Sequence, residues 1–400
     1  MIEFKSPIIK SIFRQARSLI ISFFVLFFRV YKYILFILTG KHEIERICDK
    51  ECDIYQKTMM MDSWLTRTRC TSLILFIPKN FGYHKLGLTA SKSIRDTILQ
   101  YSAELKNPNK RNNDLKSHDK KRVARFSTNI HIEDADIKLG ATLKELTEKL
   151  ITLISHVKRP NKGLSKRYQD QLCDIIYRIL CYHLTLSITD QLASTKYEPK
   201  DNVHRRALIR LWNNLIDSDK SKFKEGDSET AAFPSEFQER FEEKDNLISN
   251  KWSHIGFQGE DPATDFRGMG LLGLLQLEYL SRRANSLPID LLRRSLDEHG
   301  YPFAIVGINL TFVLRELLRE GYMKHFYYDT NDLLFRNEKR SVGIITTLNN
   351  LYVELFIRFD CFWHASKPEN IMAFRTLMRE FLSIIQMDLC NRNFSLKFIY

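Results

Sequence analysis

Four hundred residues suffice for one large core or two modest domains. An apolar share of 44% and a charged share of 27% are ordinary for a globular protein, while only 15 Gly and 10 Pro argue against a many-turned β architecture. The net charge of +13 is unevenly placed: residues 1–41 hold seven Lys/Arg against one acid, residues 103–128 hold eight against three, and residues 129–400 hold 37 of each sign. A nucleic-acid binder would carry its basic stripe on the folded body, so no nucleic-acid partner is expected and a membrane surface is the better match. Seven scattered cysteines without a CxxC pair read as reduced thiols, and no HExxH is present, which leaves metal catalysis without support. No internal repeat of solenoid period occurs.

The chain begins with an apolar run from Leu19 to Phe28, broken only by Ser22, and a second from Tyr33 to Leu38. Arg29 and Lys32 lie between them, near the middle of what would be a span, where charge is costly. On a helical wheel Lys10, Arg14, Arg17, Arg29 and Lys32 fall within about 120° of one another, although Ile21, Val25 and Phe28 share that arc. Three placements fit: a helix lying in the lipid interface, which is preferred, a signal-anchor span, or a helix docked on the protein itself. A secretory signal fits poorly, because the apolar region runs past Arg29 to Leu38 with no small-residue cleavage site. Residues 1–40 are therefore read as a membrane-associating segment and residues 41–135 as a connector.

Within the connector, residues 42–100 alternate short apolar stretches with charges, as a helical linker would. Asn107–Thr128 is polar and basic and is expected to be a disordered insertion. Its charge run could also be a nuclear signal or a phosphate patch; a solvated loop is the commoner meaning.

A third unit, residues 136–390, shows helical spacing throughout. Leu143, Leu146, Leu150, Leu153 and Ile154 form one apolar stripe, and Tyr168–Ala193 and Val203–Ile216 form two more. Asp217–Ser235 reads as a charged loop. Further helices are expected over Ser235–Ile255, Gly268–Ala284, Ile289–Leu296, Pro302–Glu320, Gly343–Trp363 and Pro368–Asp388, with Pro302 and Pro368 suited to first turns. No period-two run bounded by hairpin turns occurs, so the fold class is all-α.

The segment Trp252–Leu280 carries the most information. Gly256, Gly259, Asp261-Pro262 and Gly268 permit sharp turns, and Asp261 or Asp265 can cap the helix that follows. Arg267 is the only Lys or Arg between Lys251 and Arg282. It is either a structural partner of Asp265 or a cation presented to something else. Gly268, Gly270 and Gly273 satisfy GxGxxG by letter, yet no strand precedes them and no acidic strand end follows, so a dinucleotide site is set aside. His254 lies near Asp261 and Asp265 without a nucleophile, and reads as a hydrogen-bonded structural histidine.

This segment is similar to the signature of the ELMO-domain family, Trp-x-x-Ile-Gly-Phe-Gln-Gly-x-Asp-Pro-x-Thr-Asp-Phe-Arg-Gly-Met-Gly-Leu-Leu-Gly-Leu, at every specified position from Trp252 to Leu274. The likeness continues through Tyr301–Leu310 and, more loosely, Ile371–Phe374; Leu38–Cys48 resembles the start of the short ELMO-domain-containing branch. It covers roughly Asp136 to Leu389, and Cys52–Thr128 has no counterpart that can be placed. The scaffold branch carries helical repeats and a Pro-rich tail, for which this chain lacks the length and the prolines, so it resembles the short branch.

The resemblance implies a protein without a cofactor that is not itself an enzyme but activates GTP hydrolysis by an Arf or Arf-like GTPase in its GTP-bound form; the basic, aromatic N-terminus would hold it on the cytosolic face of an intracellular membrane. The signature's arginine, Arg267, would be inserted in trans; a guanidinium suits the charge developing on the transferring phosphoryl group. Asp265 would orient it and Gln258 would be a polar contact at the partner's surface. Trp252, Gly256, Gly259, Asp261, Pro262, Gly268 and Gly270 would support the turn, with Ile255, Phe257 and Phe266 in the core. The competing function is a non-catalytic adaptor that tethers a GTPase or its regulator, with Arg267 structural.

Overall fold

All regular structure among the described residues of the computed structural model is helical, in agreement with the apolar spacing. The structure describes residues 30–67, 143–156, 163–220, 240–283, 286–329 and 343–391, with residues 27, 140 and 394. The insertion expected over Asn107–Thr128 and most of the apolar N-terminus lie outside them.

Helix α1 (Val30–Thr39) leaves Val30, Tyr31, Tyr33, Ile34, Ile37 and Leu38 between 47% and 75% exposed. It joins the body through a Lys32–Glu43 ion pair of 2.6 Å and stacking of Phe36 on His42. Helix α2 (Glu43–Asp49) starts on a cap in which the His42 N–H donates to the Glu45 carboxylate, 2.7 Å. Helix α3 (Ile54–Arg67) then packs on the long helix Lys166–Ser194. The linker expected over residues 42–100 is thus two helices docked on the body, as far as residue 67. Asp62 on α3 is buried and fully engaged: His183 lies 3.1 Å away, Lys324 2.7 Å, and the Tyr328 hydroxyl donates to it at 3.0 Å.

The next helix, α4 (143–156), carries the leucine stripe read from the sequence, with Leu143, Leu150 and Ile154 buried. Helix α5 (Lys166–Ser194) and helix α6 (Asn202–Lys220) each extend slightly beyond the expected bounds. α5 is long and apolar enough to cross a membrane, but 72% of its apolar window is buried in the body, which marks it as a core helix. At the centre lies α7 (Gly270–Ser281), apolar on all sides, surrounded by α5, α6, α9 (Phe303–Glu320) and α11 (Ile344–Ser366). α9 crosses α7 closely at Gly307, where a Cβ would come within 2.4 Å of the Leu277 side chain. Gln276 on α7 is fully buried, and its amide has no hydrogen-bond partner among the described residues. Helix α8 (Leu287–Ser295), the short α10 (His325–Tyr328) and α12 (Phe374–Cys390) complete the shell.

Two expected helices differ. Ser235–Ile255 is not one helix: residues 241–249 are turns, followed by a 3-10 helix, Asn250–Ile255. Tertiary bonds override the helical spacing there, because Asn213 on α6 both donates to and accepts from the Phe241 backbone (2.9 and 3.0 Å) and fastens it to that helix. Pro368 does not open a helix. α11 ends at Ser366, Lys367 turns left-handed (φ 44°), and a 3-10 turn capped by Asn370 leads into α12. Pro302 is the N-cap of α9 rather than its first turn, while Pro288 occupies the first turn of α8.

Candidate functional site

The signature forms two consecutive 3-10 helices, the first meeting α6 through Trp252 and Trp212 and the second packed on α7 and α9. The first, Asn250–Ile255, is capped by Ser249, whose side chain accepts from the Lys251 N–H. Trp252 is fully buried; its indole N–H donates to the Leu247 carbonyl at 2.7 Å, and its ring stacks on Phe241 (5.0 Å) and meets Trp212 edge-on (5.4 Å). From Trp252 the ring contacts continue through Phe257 and Phe266 to Tyr197, each step 5.6 Å. Ile255, Phe257 and Phe266 are buried, as their apolar bulk suggested.

The second 3-10 helix, Pro262–Arg267, starts with Asp261 as N-cap accepting from the Ala263 N–H (3.0 Å) and Pro262 in its first turn. Asp265 does not cap a helix. Its carboxylate accepts from the Gln258 N–H at 2.8 Å and so ties the two turns together. Burial raises the pKa of that carboxyl, with the Gln258 N–H and the nearby Arg267 charge opposing the shift.

Arg267 is exposed. Its Nε–H donates to the Thr264 carbonyl at 2.6 Å, and no ion pair to it is found among the described residues. Of the two alternatives left by the sequence, a buried pair with Asp265 is therefore absent and the guanidinium faces outward. Gln258, whose own backbone N–H Asp265 holds, is also exposed. Thr264, whose carbonyl steers the arginine, had no role in the sequence reading; a backbone acceptor leaves no side-chain signal.

The signature glycines divide into two groups. Gly256 (φ 83°) and Gly270 (φ 50°) adopt left-handed backbone against neighbouring main chain. A Cβ on Gly256 would lie 2.3 Å from the Phe303 nitrogen, and one on Gly270 2.3 Å from the Thr195 carbonyl oxygen. Two hydrogen bonds fasten the same points, Ile305 N–H to Gly256 O (3.3 Å) and Leu271 N–H to Thr195 O (2.8 Å). Gly259 and Gly268, also expected to shape the turn, have no positive φ, and a Cβ added at either would meet nothing within 4 Å among the described residues.

Comparison with known proteins gives a consistent assignment. A sequence profile of the ELMO/CED-12 family matches residues 188–378, which contain both 3-10 helices and the central helix α7. The chain is 35% identical to ELMO domain-containing protein 2 of Bos taurus over 238 residues, 59% of this chain and 70% of that one. It is 27% identical to ELMO domain-containing protein B of Dictyostelium discoideum over 364 residues, 91% of this chain and 95% of that one. ELMO domain-containing protein 1 of Mus musculus is 28% identical over 268 residues, 62% of this chain and 72% of that one. With a helical body and an intact signature, this chain belongs to the ELMO/CED-12 family.

Proposed function

We propose that the chain stimulates GTP hydrolysis on a small GTPase of the Arf or Arf-like class, offering Arg267 in trans. The observation that carries this reading is an exposed guanidinium on a turn fixed to the core at Gly256, Asp265 and Gly270. A cation inserted into another protein's site has to reach outward while its backbone stays fixed, since catalysis rewards groups already oriented toward developing charge. The single bond from Nε to Thr264 leaves both terminal nitrogens for phosphoryl oxygens. An arginine supplied in this manner is worth about 10³–10⁵ in rate, or roughly 4–7 kcal/mol of barrier. Asp265 contributes by fixing the turn through the Gln258 N–H, and the exposed Gln258 amide is a contact for the partner.

Hydrolysis by a panel of GTP-loaded Arf-family proteins, with and without the chain, tests the reading. Arg267→Ala and Arg267→Lys should lose most of the stimulation, because lysine lacks the planar fork. Both variants should melt within about 1 kcal/mol of wild type, as expected for an exposed side chain. A folded Arg267→Ala variant that stimulates normally would refute the arginine's role and favour the adaptor.

The location we propose is the cytosolic face of an intracellular membrane. The exposed apolar surface of α1, continuous in sequence with the basic, aromatic residues 1–29, supports it.

A further inference from the structure

Glycine is a costly choice at a position of ordinary backbone geometry, because the unfolded chain is freer there than with any other residue. Gly256 and Gly270 have an internal reason to be glycine, since any side chain would collide with neighbouring backbone. Gly268 has none. Its φ of −79° and ψ of −40° are those of a right-handed helix, it is exposed, and an added Cβ would meet nothing within 4 Å among the described residues. Gly259 shares the open space and the absence of a positive φ. The two positions directly follow the two exposed polar side chains, Gln258 and Arg267, on turns that Asp265 holds together. Empty space therefore lies beside the candidate arginine for which the chain's own folding gives no cause.

We propose that Gly268 is a positioning residue for a GTP-loaded small GTPase: its missing side chain lets the partner's main chain come into van der Waals contact beside Arg267. This rests on the reading of Arg267 given above. The short bond from Nε to the Thr264 carbonyl turns the arginine stem back along its own helix and shortens its reach from the surface. To bring the terminal nitrogens to phosphoryl oxygens inside another protein, the two backbones must approach closely, and a side chain at 268 would keep them apart. Gly259 would do the same beside Gln258.

The test compares wild type, Gly268→Ala, Gly268→Leu and Arg267→Ala in two assays: stimulated hydrolysis across GTPase concentrations, and direct binding to the GTPase loaded with a non-hydrolysable GTP analogue. Gly268→Ala should melt at or above the wild-type temperature, because alanine restricts the unfolded chain without a clash. Its kcat/KM should nonetheless fall about ten-fold, and that of Gly268→Leu roughly a hundred-fold, the scale of loss expected when reacting groups are held an ångström apart. Binding should weaken in parallel with side-chain size. Arg267→Ala should instead lose kcat with little loss of binding. Wild-type binding and stimulation in Gly268→Leu would overturn the inference and leave the arginine reading intact. A lowered melting temperature in Gly268→Ala would overturn it too, by making the glycine structural. Normal stimulation by Arg267→Ala, or none by wild type on any panel member, would sink the function reading itself.

Discussion

Gly256→Ala isolates how the signature is held to the body. At φ 83° an alanine pays about 1–2 kcal/mol for left-handed backbone alone. Its methyl carbon would lie 2.3 Å from the Phe303 nitrogen and 2.5 Å from the Pro302 carbonyl carbon, so the first turn of α9 or the turn after Ile255 has to move by about an ångström. That movement breaks the Ile305 N–H to Gly256 O bond, worth about 1 kcal/mol. Repacking around the shifted turn adds about 1–3 kcal/mol. The total, roughly 3–6 kcal/mol, is a large fraction of the 5–15 kcal/mol typical of a folded domain. Urea denaturation followed by far-UV circular dichroism reads it directly, with Gly259→Ala, where nothing lies within 4 Å, as the matched control. If Gly256→Ala and Gly259→Ala unfold within about 0.5 kcal/mol of each other, the close approach to α9 is not what holds the turn.

Three further outcomes are expected. Burial alone would raise the pKa of Asp62, but the His183 hydrogen bond and the Lys324 charge hold its carboxyl well below the usual range. Its contribution to stability is therefore present above the unfolded carboxylate pKa of about 4 and is lost as pH falls toward the depressed folded value. Asp62→Asn should cost about 3–5 kcal/mol near neutrality, and in urea titrations at stepped pH the two proteins should converge below about pH 4; a constant gap down to strong acid would contradict the ion network. Gln276→Met removes a buried amide without a partner among the described residues and should stabilise the fold by about 1–2 kcal/mol; a lower melting temperature would mean the amide is satisfied in solution. Deleting residues 1–40 should move the chain from the membrane pellet to the soluble fraction with its helicity retained, and carbonate extraction of the full chain separates an interfacial helix from a span; a deletion that stays in the pellet places the anchor elsewhere.

Most of the helical body was legible because apolar spacing alone dictates it. α5 and α6 lie within four residues of the bounds drawn from their stripes. The failures share one cause, a local pattern outweighed by distant partners. Phe241, Ile248, Trp252 and Ile255 have helical spacing, yet Asn213 and the Leu247 carbonyl bind that stretch as turns from a helix nearly thirty residues away and from within it. Asn370 caps the turn before α12, a signal the reading of Pro368 as a first-turn residue passed over, which drew the expected start of α12 too far toward the N-terminus. At the site, motif letters identified Arg267 and the turn around it. They could not distinguish Gly256 and Gly270, which main chain crowds, from Gly259 and Gly268, which nothing crowds, because that difference exists only once α5 and α9 are in place.

The row of rings from Trp212 through Trp252, Phe257 and Phe266 to Tyr197 has a consequence for how the surface breathes. Surface turns commonly open at little free-energy cost, independently of the body beneath them. Here a local opening would extract buried tryptophan and phenylalanine rings, so the turn's amide protons should exchange only on the timescale of global unfolding. A segment that lies at the surface but exchanges like the interior acts as a gauge of fixed dimensions. Any protein that meets it must supply the conformational adjustment, and the entropy of ordering at that contact falls on the partner.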